Sequence, residues 1–209
     1  METAKKAKFI SLEGIEGVGK SSNMHFLAQK LEQRGHNVVK TREPGGTPMA
    51  EAIRSLLLSS YVEKTLPKTE LLLLYAARLQ HVTEVISPAL ANNQWVLCDR
   101  FCDATYAYQG GGRQLGFETV DILNHWALGD FAPDHVIVLD APVEIAFSRI
   151  APHRQLDRFE QETADFFERI RKAYLLMAAR DPKRYSIVDA SQTIDAVQSQ
   201  LADIIQRLS

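Results

Sequence analysis

The chain has 209 residues, of which 45% are hydrophobic and 24% are charged, and its formal net charge is −2. This length and composition are typical of one globular domain with a substantial core. The small net charge excludes a strong field that would attract duplex nucleic acid or an anionic membrane, so we expect neither as a general partner.

The first residues of the chain, METAKKAK, are charged and lead directly into FISLEG. They lack the apolar stretch and the small-residue cleavage site of a signal peptide. No uninterrupted apolar run approaches the ~20 residues that a membrane helix needs. These observations predict a soluble cytoplasmic protein.

Five short apolar runs alternate with helical stretches along the chain. In order they are KFISLE, HNVVKT, WVLCD, HVIVLD and RYSIVDA. Such alternation is typical of a parallel sheet covered by helices. We therefore predict an α/β fold in which residues 1–209 form a single domain.

Apolar residues at helical spacing predict the first and the last helix. The first stripe consists of Met24, Leu27, Ala28 and Leu31, before a plausible terminator at Gly35. The last consists of Ile194, Val197, Leu201, Ile204, Ile205 and Leu208. We interpret both stripes as core faces rather than as binding surfaces.

A complete phosphate-loop motif, G-x-x-x-x-G-K-[ST], follows the first predicted strand and precedes the first predicted helix. Its residues are Gly14, Ile15, Glu16, Gly17, Val18, Gly19, Lys20 and Ser21. Glycines allow successive backbone N–H groups to point into one concavity, and the following helix adds the positive end of its dipole. The motif therefore predicts a triphosphate site, the alternative being a glycine-rich turn with an exposed lysine.

Within this site, Lys20 is expected to bridge the β- and γ-phosphates, and the Ser21 hydroxyl to bind Mg²⁺. Asp99 ends the run WVLCD, where an acid can hold Mg²⁺ or its waters. The alternative role of Asp99 is to cap a helix that begins near Phe101. The motif alone does not separate a kinase from a GTPase, a motor or a regulatory switch.

Turn-forming residues predict loops at 42–48 (REPGGTP) and 108–116 (YQGGGRQLG), after the second and third strands. Open α/β sheets bind ligands at the carboxyl ends of their strands. Four arginines lie in or near these segments: Arg42, Arg54, Arg78 and Arg100. Because guanidinium groups bind phosphate in a two-point manner, the four together predict a second anion site; singly, each is typical of a solvated surface.

The segment RIAPHRQLDR, residues 149–158, is a polar link between two predicted helices, and Pro152 interrupts helical continuity. Such a segment can serve as a mobile lid that places an arginine on the transferring phosphoryl group. It can equally be an ordinary charged connection.

The two cysteines, Cys98 and Cys102, lie at the end of the third strand-like run and just after it. Histidines do not cluster beside them. We interpret both as reduced structural residues rather than as zinc ligands or a redox pair.

Several motifs together resemble the bacterial thymidylate kinase family. They are FISLEGIEGVGKS, TREPGGTP, AARLQH, LCDRF, AYQGGGR and LDRFEQE, and the resemblance covers nearly the whole chain. It implies a five-stranded parallel sheet flanked by helices, a homodimer packed through helices, and transfer of the γ-phosphoryl group of MgATP to thymidine monophosphate (dTMP).

The resemblance also implies roles for individual residues. Lys20, Ser21 and the loop amides would hold ATP, and Arg100 and Arg54 would contact the acceptor phosphate. Glu16 would lie near the sugar 3′-hydroxyl, Glu43 would lie beside the transferring phosphate, and Pro44 would be a further substrate-binding residue. The thymine edge would be contacted by Arg78, Thr105 and Gln109, while Tyr108 would crowd the place of a ribose 2′-hydroxyl.

The sequence departs from the family pattern at two places. Many relatives have an aromatic residue four positions before the base-contacting arginine, where this chain has Leu74 followed by Tyr75; either could pack on thymine. The usual position of the lid arginine is held by His153, so we favour Arg154 as the catalytic arginine, with Arg149 and Arg158 as alternatives. Two rival functions are a kinase for another acceptor and a slow ATP-hydrolysing switch.

Overall fold

The computed structural model describes residues 6–150 and 158–208. Its five strands form one sheet in the order β2-β3-β1-β4-β5, and every neighbouring pair is parallel. The strands are β1 (Phe9–Glu13), β2 (Val38–Arg42), β3 (Trp95–Asp99), β4 (His135–Asp140) and β5 (Tyr185–Asp189). The predicted five-stranded parallel sheet is confirmed.

Helices connect the strands. They are α1 (Lys20–Glu32), α2 (Pro48–Leu58), α3 (Pro67–His81), α4 (Ser87–Ala91), α5 (Cys102–Thr105), α6 (Phe117–Leu128), α7 (Val143–Ser148), α8 (Ala164–Arg180) and α9 (Ile194–Leu208). Two π-helical segments, Val82–Ile86 and Tyr106–Gly112, continue α3 and α5. In the described parts of the chain, no helix combines the length and the apolar character that a membrane span requires.

The prediction of a loop over 108–116 is wrong for its first half, because Tyr106–Gly112 is helical. Its glycines allow this segment to pack closely on α8. A Cβ atom added to Gly112 would lie 2.6 Å from the Phe166 ring, and one added to Gly111 would lie 2.9 Å from the Ala173 Cβ atom. The glycines that suggested a turn are thus required by helix packing.

The core lies on both faces of the sheet. All five residues of β1 are buried, and the predicted stripe of α1 packs against the sheet. The stripe of α9 is buried at Val197, Leu201 and the two isoleucines that follow, but Ile194 is 50% exposed. The interpretation of that stripe as purely a core face is therefore wrong at its first residue.

Both cysteines have free, buried thiols. Burial raises the pKa of Cys98 and of Cys102 well above the usual range, which keeps both thiols protonated.

The strand register brings the candidate functional loops to one edge of the sheet. Leu12 of β1 and Arg42 of β2 both pair with Asp99 of β3. Because all strands are parallel, the phosphate loop, the 43–47 loop and the segment after Asp99 leave the sheet side by side. The Glu43 N–H also donates to the Asp99 carbonyl at 3.0 Å, which ties two of these loops together.

Candidate active site

The phosphate loop turns tightly between β1 and α1. Gly14, Gly17 and Gly19 all have positive φ angles. A Cβ atom at Gly17 would lie 2.0 Å from the Ala146 carbonyl oxygen, and one at Gly14 would lie 2.4 Å from the Leu139 carbonyl oxygen. Glycine is therefore required at both positions by conformation and by space.

A cavity of about 660 Å³ adjoins this loop. Its lining includes residues 16–23, which contain six of the predicted loop residues. Gly14 and Ile15 do not line it; instead their carbonyl oxygens accept hydrogen bonds from Lys20 Nζ at 3.0 and 2.7 Å. These two residues thus position the lysine rather than face the cavity.

Of the far wall of this cavity, the sequence indicated only Arg149, as a candidate lid arginine. It consists of Arg149, Ile150 and Glu160 together with Ala190, Gln192, Thr193, Ile194 and Val197. The exposure of Ile194 is explained by its place in this wall. The chain order could have indicated residues 190–193, because they follow the carboxyl end of β5, which lies at the same edge of the sheet as the phosphate loop.

The ammonium group of Lys20 lies in a poorly solvated position. Burial, with a further contribution from the Arg100 guanidinium, lowers the pKa of Lys20 from 10.5 to about 8. A lysine in this environment gains stability from an anion that contacts it.

A second cavity lies beside the first and is lined by arginines. Its lining residues are Glu16, Glu43, Pro44, Arg54, Leu57, Leu58, Leu74, Arg78, Arg100, Phe101, Ala104, Thr105, Tyr108, Gln109 and Phe159. Every residue predicted to contact the acceptor is among them except Tyr75. Glu16 lines both cavities, so the two meet at the phosphate loop.

Arg100 lies at this junction. Its Nη1 donates to the Gly14 carbonyl oxygen at 2.8 Å, and its Nη2 lies 2.8 Å from Glu16 Oε1. The Tyr108 hydroxyl donates to the other Glu16 oxygen at 2.6 Å, and its ring lies under the Arg100 guanidinium. The φ angle of Arg100 is 68°, an unfavourable value for a non-glycine residue that the surrounding contacts hold in place.

Arg78 is a buried residue in the lining of the second cavity. Its Nε donates to Glu43 Oε2 at 2.6 Å, and its Nη2 donates to Thr105 Oγ1 at 2.9 Å and to the Phe101 carbonyl oxygen at 3.1 Å. Its Nη1 and the Oε1 atom of Gln109 are buried and have no hydrogen-bond partner among the described residues. A ligand in this cavity therefore meets one unsatisfied donor and one unsatisfied acceptor.

The predicted four-arginine site needs one correction. Arg54 lines the second cavity and donates to the Pro44 carbonyl oxygen at 3.0 Å. Arg42 does not line this cavity; its guanidinium forms a bidentate pair with Glu51 on the exposed surface, with both bonds at 2.9 Å. This local partner explains why Arg42 does not converge with the other three.

The structure separates the two candidates for packing on a base. Leu74 lines the second cavity, whereas the buried Tyr75 points its hydroxyl at α6, donating to Asn124 Oδ1 at 3.1 Å. The inclusion of Tyr75 among the acceptor-contacting residues is therefore wrong. Phe159 supplies an aromatic wall that the sequence did not identify, and its ring packs edge-on against Tyr108.

Ser21 and Asp99 line one groove beside the phosphate loop. The Oδ1 atom of Asp99 is buried and has no hydrogen-bond partner among the described residues. The residue before α5 is Phe101, and no side chain caps that helix, so the alternative role of Asp99 as a helix cap is wrong. One hydroxyl and one carboxylate fit Mg²⁺, which protein sites hold through few side chains together with phosphate oxygens.

Two of the three candidate lid arginines are described. Arg149 lines the first cavity and donates to carbonyl oxygens at 190–192. Arg158 pairs with Glu70 and donates to the Leu57 carbonyl oxygen. Arg154, with Pro152 and His153, lies outside the described residues, so the choice of Arg154 stays a prediction.

Comparison with known proteins identifies the family. The model of the thymidylate kinase family matches residues 12–201. A thymidylate kinase of Pseudomonas entomophila is 55% identical over 190 residues, which cover 91% of this chain and 90% of that protein. One of Pseudomonas savastanoi pv. phaseolicola is 53% identical over 200 residues, or 96% of this chain and 95% of that protein.

A solved structure agrees. The crystal structure of thymidylate kinase from Ehrlichia chaffeensis superposes with a TM-score of 0.77 at 31% identity, covering 97% of this chain and 99% of that chain. The resemblance inferred from the motifs is thus confirmed, and this chain belongs to the thymidylate kinase family.

Proposed function

We propose that this chain transfers the γ-phosphoryl group of MgATP to dTMP, giving thymidine diphosphate and ADP. The observation that carries the proposal is the junction of a phosphate-loop cavity with an arginine-lined cavity at Glu16. A switch protein needs only the first cavity. A kinase needs both, because two anions must approach each other and their repulsion must be offset.

On the donor side, ATP would occupy the first cavity, with its phosphates at residues 16–21. The backbone N–H groups and the start of α1 supply positive potential, and Lys20 supplies a charge that is already poorly solvated. Ser21 and Asp99 would hold Mg²⁺, which when bound neutralises charge on the β- and γ-phosphates.

On the acceptor side, Arg100 would bind the monophosphate, with Arg54 as a second cation. Arg100 reaches toward the phosphate loop through Gly14 and Glu16, so its guanidinium lies between the two cavities. Glu16 and Tyr108 would adjoin the sugar. No protein nucleophile is required, because the acceptor phosphate oxygen attacks directly.

Two unpaired atoms in the lining of the second cavity support thymine as the base. Arg78 Nη1 offers a donor and Gln109 Oε1 offers an acceptor, both without protein partners among the described residues. Thymine carries a carbonyl oxygen next to an N–H group and satisfies both atoms. Cytosine carries the opposite pattern and would leave buried groups unpaired, which typically costs about 1–3 kcal/mol for each group.

We also infer a cytoplasmic homodimer. The adjacent helices α3 and α6 expose large apolar side chains, with Leu72 59%, Ile122 71% and Trp126 78% exposed. Ile122 and Trp126 lie one turn apart on the same face of α6, as in a helix that packs against a partner. Sedimentation of wild type and of Trp126→Glu tests this: a dimer that becomes a monomer is expected, and a wild-type monomer would contradict the inference.

The reaction is tested by measuring ADP release with a panel of nucleoside monophosphates. We expect dTMP to be preferred, and Lys20→Ala to abolish turnover, while Lys172→Ala, at an exposed position that lines neither cavity, serves as a matched control. Preference for another monophosphate would support the first rival function. ADP release at the same rate with and without an acceptor would support the switch.

A further inference from the structure

Glu70, in the first turn of α3, is a fully buried acid that lines neither cavity. Its carboxylate accepts hydrogen bonds from three side chains of other segments. Arg113 Nε donates to Oε2 at 3.1 Å, Gln109 Nε2 donates to the same oxygen at 3.3 Å, and Arg158 Nη1 donates to Oε1. Glu70 thus contacts a side chain that lines the second cavity, Gln109.

The pairing of Gln109 with Glu70 fixes the orientation of the Gln109 amide. A carboxylate between two guanidinium groups accepts hydrogen bonds and does not donate them. The amide must therefore turn its nitrogen toward Glu70, since the reverse orientation would bring two acceptors together. Gln109 Oε1 is consequently the atom left without a protein partner among the described residues.

Fixing this amide determines what the cavity can bind. A free glutamine side chain can present either its oxygen or its nitrogen, and so accommodates a ligand donor or a ligand acceptor. Held by Glu70, Gln109 presents only an acceptor, in a cavity whose lining also includes Arg78 with its unpaired donor Nη1. Because Glu70 holds the amide nitrogen, Gln109 can only accept a hydrogen bond from a ligand, whereas Arg78 can only donate one.

We propose that Glu70 is a specificity-determining positioning residue: from outside the cavity it locks the Gln109 amide so that the site accepts a base with an N–H group beside a carbonyl oxygen and rejects one with the opposite pattern. This inference rests on the proposed function, since it concerns the base of the acceptor.

The test compares two acceptors that differ only at this edge of the base, dTMP and 5-methyl-2′-deoxycytidine monophosphate. In Glu70→Gln, residue 70 can donate as well as accept, so the Gln109 amide is free to turn. We expect the ratio of kcat/KM values for the two acceptors to fall by about tenfold, since one buried polar mismatch is relieved. The KM for ATP should not change.

Glu162→Gln is the matched control. Glu162 is the other acidic partner of Arg113, with no bond to Gln109. Its substitution removes the other ion pair of Arg113 and should leave the acceptor ratio unchanged. A fall of the ratio by the same factor in both variants would overturn the proposal, because the effect would then come from loosening Arg113.

A second comparison separates a positioning role from a merely structural one. Gln109→Leu removes the amide, so adding Glu70→Gln to this variant should cause no further change in the acceptor ratio. Independent, multiplicative effects would overturn the proposal. If Glu70→Gln does not fold, Glu70→Asp replaces it, because the shorter side chain keeps the negative charge but cannot reach Gln109. The acceptor ratio should then fall in Glu70→Asp alone and should not fall further when Glu70→Asp is added to Gln109→Leu.

Failure of this inference is distinct from failure of the proposed function. A wild-type protein that does not prefer dTMP contradicts the proposed function itself. A wild-type protein that prefers dTMP, with an acceptor ratio that Glu70→Gln leaves unchanged, contradicts only the role of Glu70.

Discussion

Glu16 Oε1 lies 2.8 Å from Arg100 Nη2, and this ion pair joins the phosphate loop to the segment that follows β3. Both residues line the arginine-rich cavity, and Glu16 also lines the phosphate-loop cavity. Both side chains are partly buried, so surrounding contacts help to hold the geometry of the pair. Exposed ion pairs, by contrast, are held only by a weak attraction. Arg100 is thus positioned between the sites that we assign to the two nucleotides.

Arg100→Lys should lower kcat/KM for dTMP by about 10- to 100-fold, because an ammonium group cannot replace a two-point guanidinium contact. The KM for ATP should change little. Steady-state kinetics with each substrate varied in turn check this expectation. Arg207→Lys, which alters an exposed arginine that lines neither cavity, is the control, and an equal loss in both variants would show that Arg100 has no special role.

Lys20 should make ATP binding dependent on pH. Its pKa of about 8 in the protein means that the ammonium form, which binds phosphate, is lost as the pH rises through 8. The dissociation constant for ATP should therefore be constant below pH 8 and rise by about tenfold for each pH unit above 8. Calorimetric titration between pH 7 and 9.5 measures the trend.

The control for this prediction is Lys20→Arg. A guanidinium group stays charged throughout this range, so any ATP binding that the variant retains should not vary with pH. A wild-type dissociation constant that stays flat up to pH 9.5 would contradict the assignment.

The five strands and the phosphate loop could be predicted from the sequence because their signals are local. A buried strand appears as a short apolar run, and the loop has fixed spacing between two elements. The sequence also predicts that Arg54, Arg78 and Arg100 converge, and all three line the second cavity; their binding of an anion stays a prediction.

The errors concern features that tertiary contacts decide. Arg42 has an exposed partner in Glu51, and Tyr75 finds its hydrogen bond on α6 rather than in the cavity. The glycines of 110–112 resemble those of a turn but permit close packing on α8. Phe159 reaches the second cavity from a distant part of the chain, and no spacing in the sequence indicates that contact.

Glu13 should make the stability of the protein fall as the pH rises. Burial, with a further contribution from Asp103, raises its pKa from 4.5 to about 8, so the folded state binds this proton more tightly than the unfolded state. The resulting stability is complete below about pH 4.5 and is lost as the pH rises toward 8.

Glu13→Gln mimics the protonated acid and should be more stable than wild type at pH 9, by roughly 1–3 kcal/mol, but not at pH 5. Chemical denaturation at both pH values measures the difference. The exposed Glu63→Gln serves as a control, and a Glu13→Gln effect that is the same at pH 5 and pH 9 would contradict the linkage.

Alanine substitutions of the three candidate lid arginines should each change a different property of the protein. Arg154→Ala should lower kcat by about 10³-fold or more if this residue stabilises the transferring phosphoryl group. Arg149→Ala should chiefly raise the KM for ATP, because Arg149 holds the 190–192 wall of the first cavity. Arg158→Ala should lower the melting temperature, because it leaves the buried Glu70 with one fewer partner.

Kinetics and thermal unfolding of the three variants distinguish these outcomes. A full kcat for Arg154→Ala, with the large loss at Arg149 or Arg158 instead, would move the catalytic role to that residue.

The central claim is that one chain holds two nucleotides end to end across Glu16 and Arg100. Competition with a single ligand in which adenosine and thymidine are joined through their 5′ oxygens by a phosphate chain tests it most directly. We expect one such ligand per chain to displace both ATP and dTMP. Displacement of ATP alone, with dTMP binding unaffected, would contradict the account.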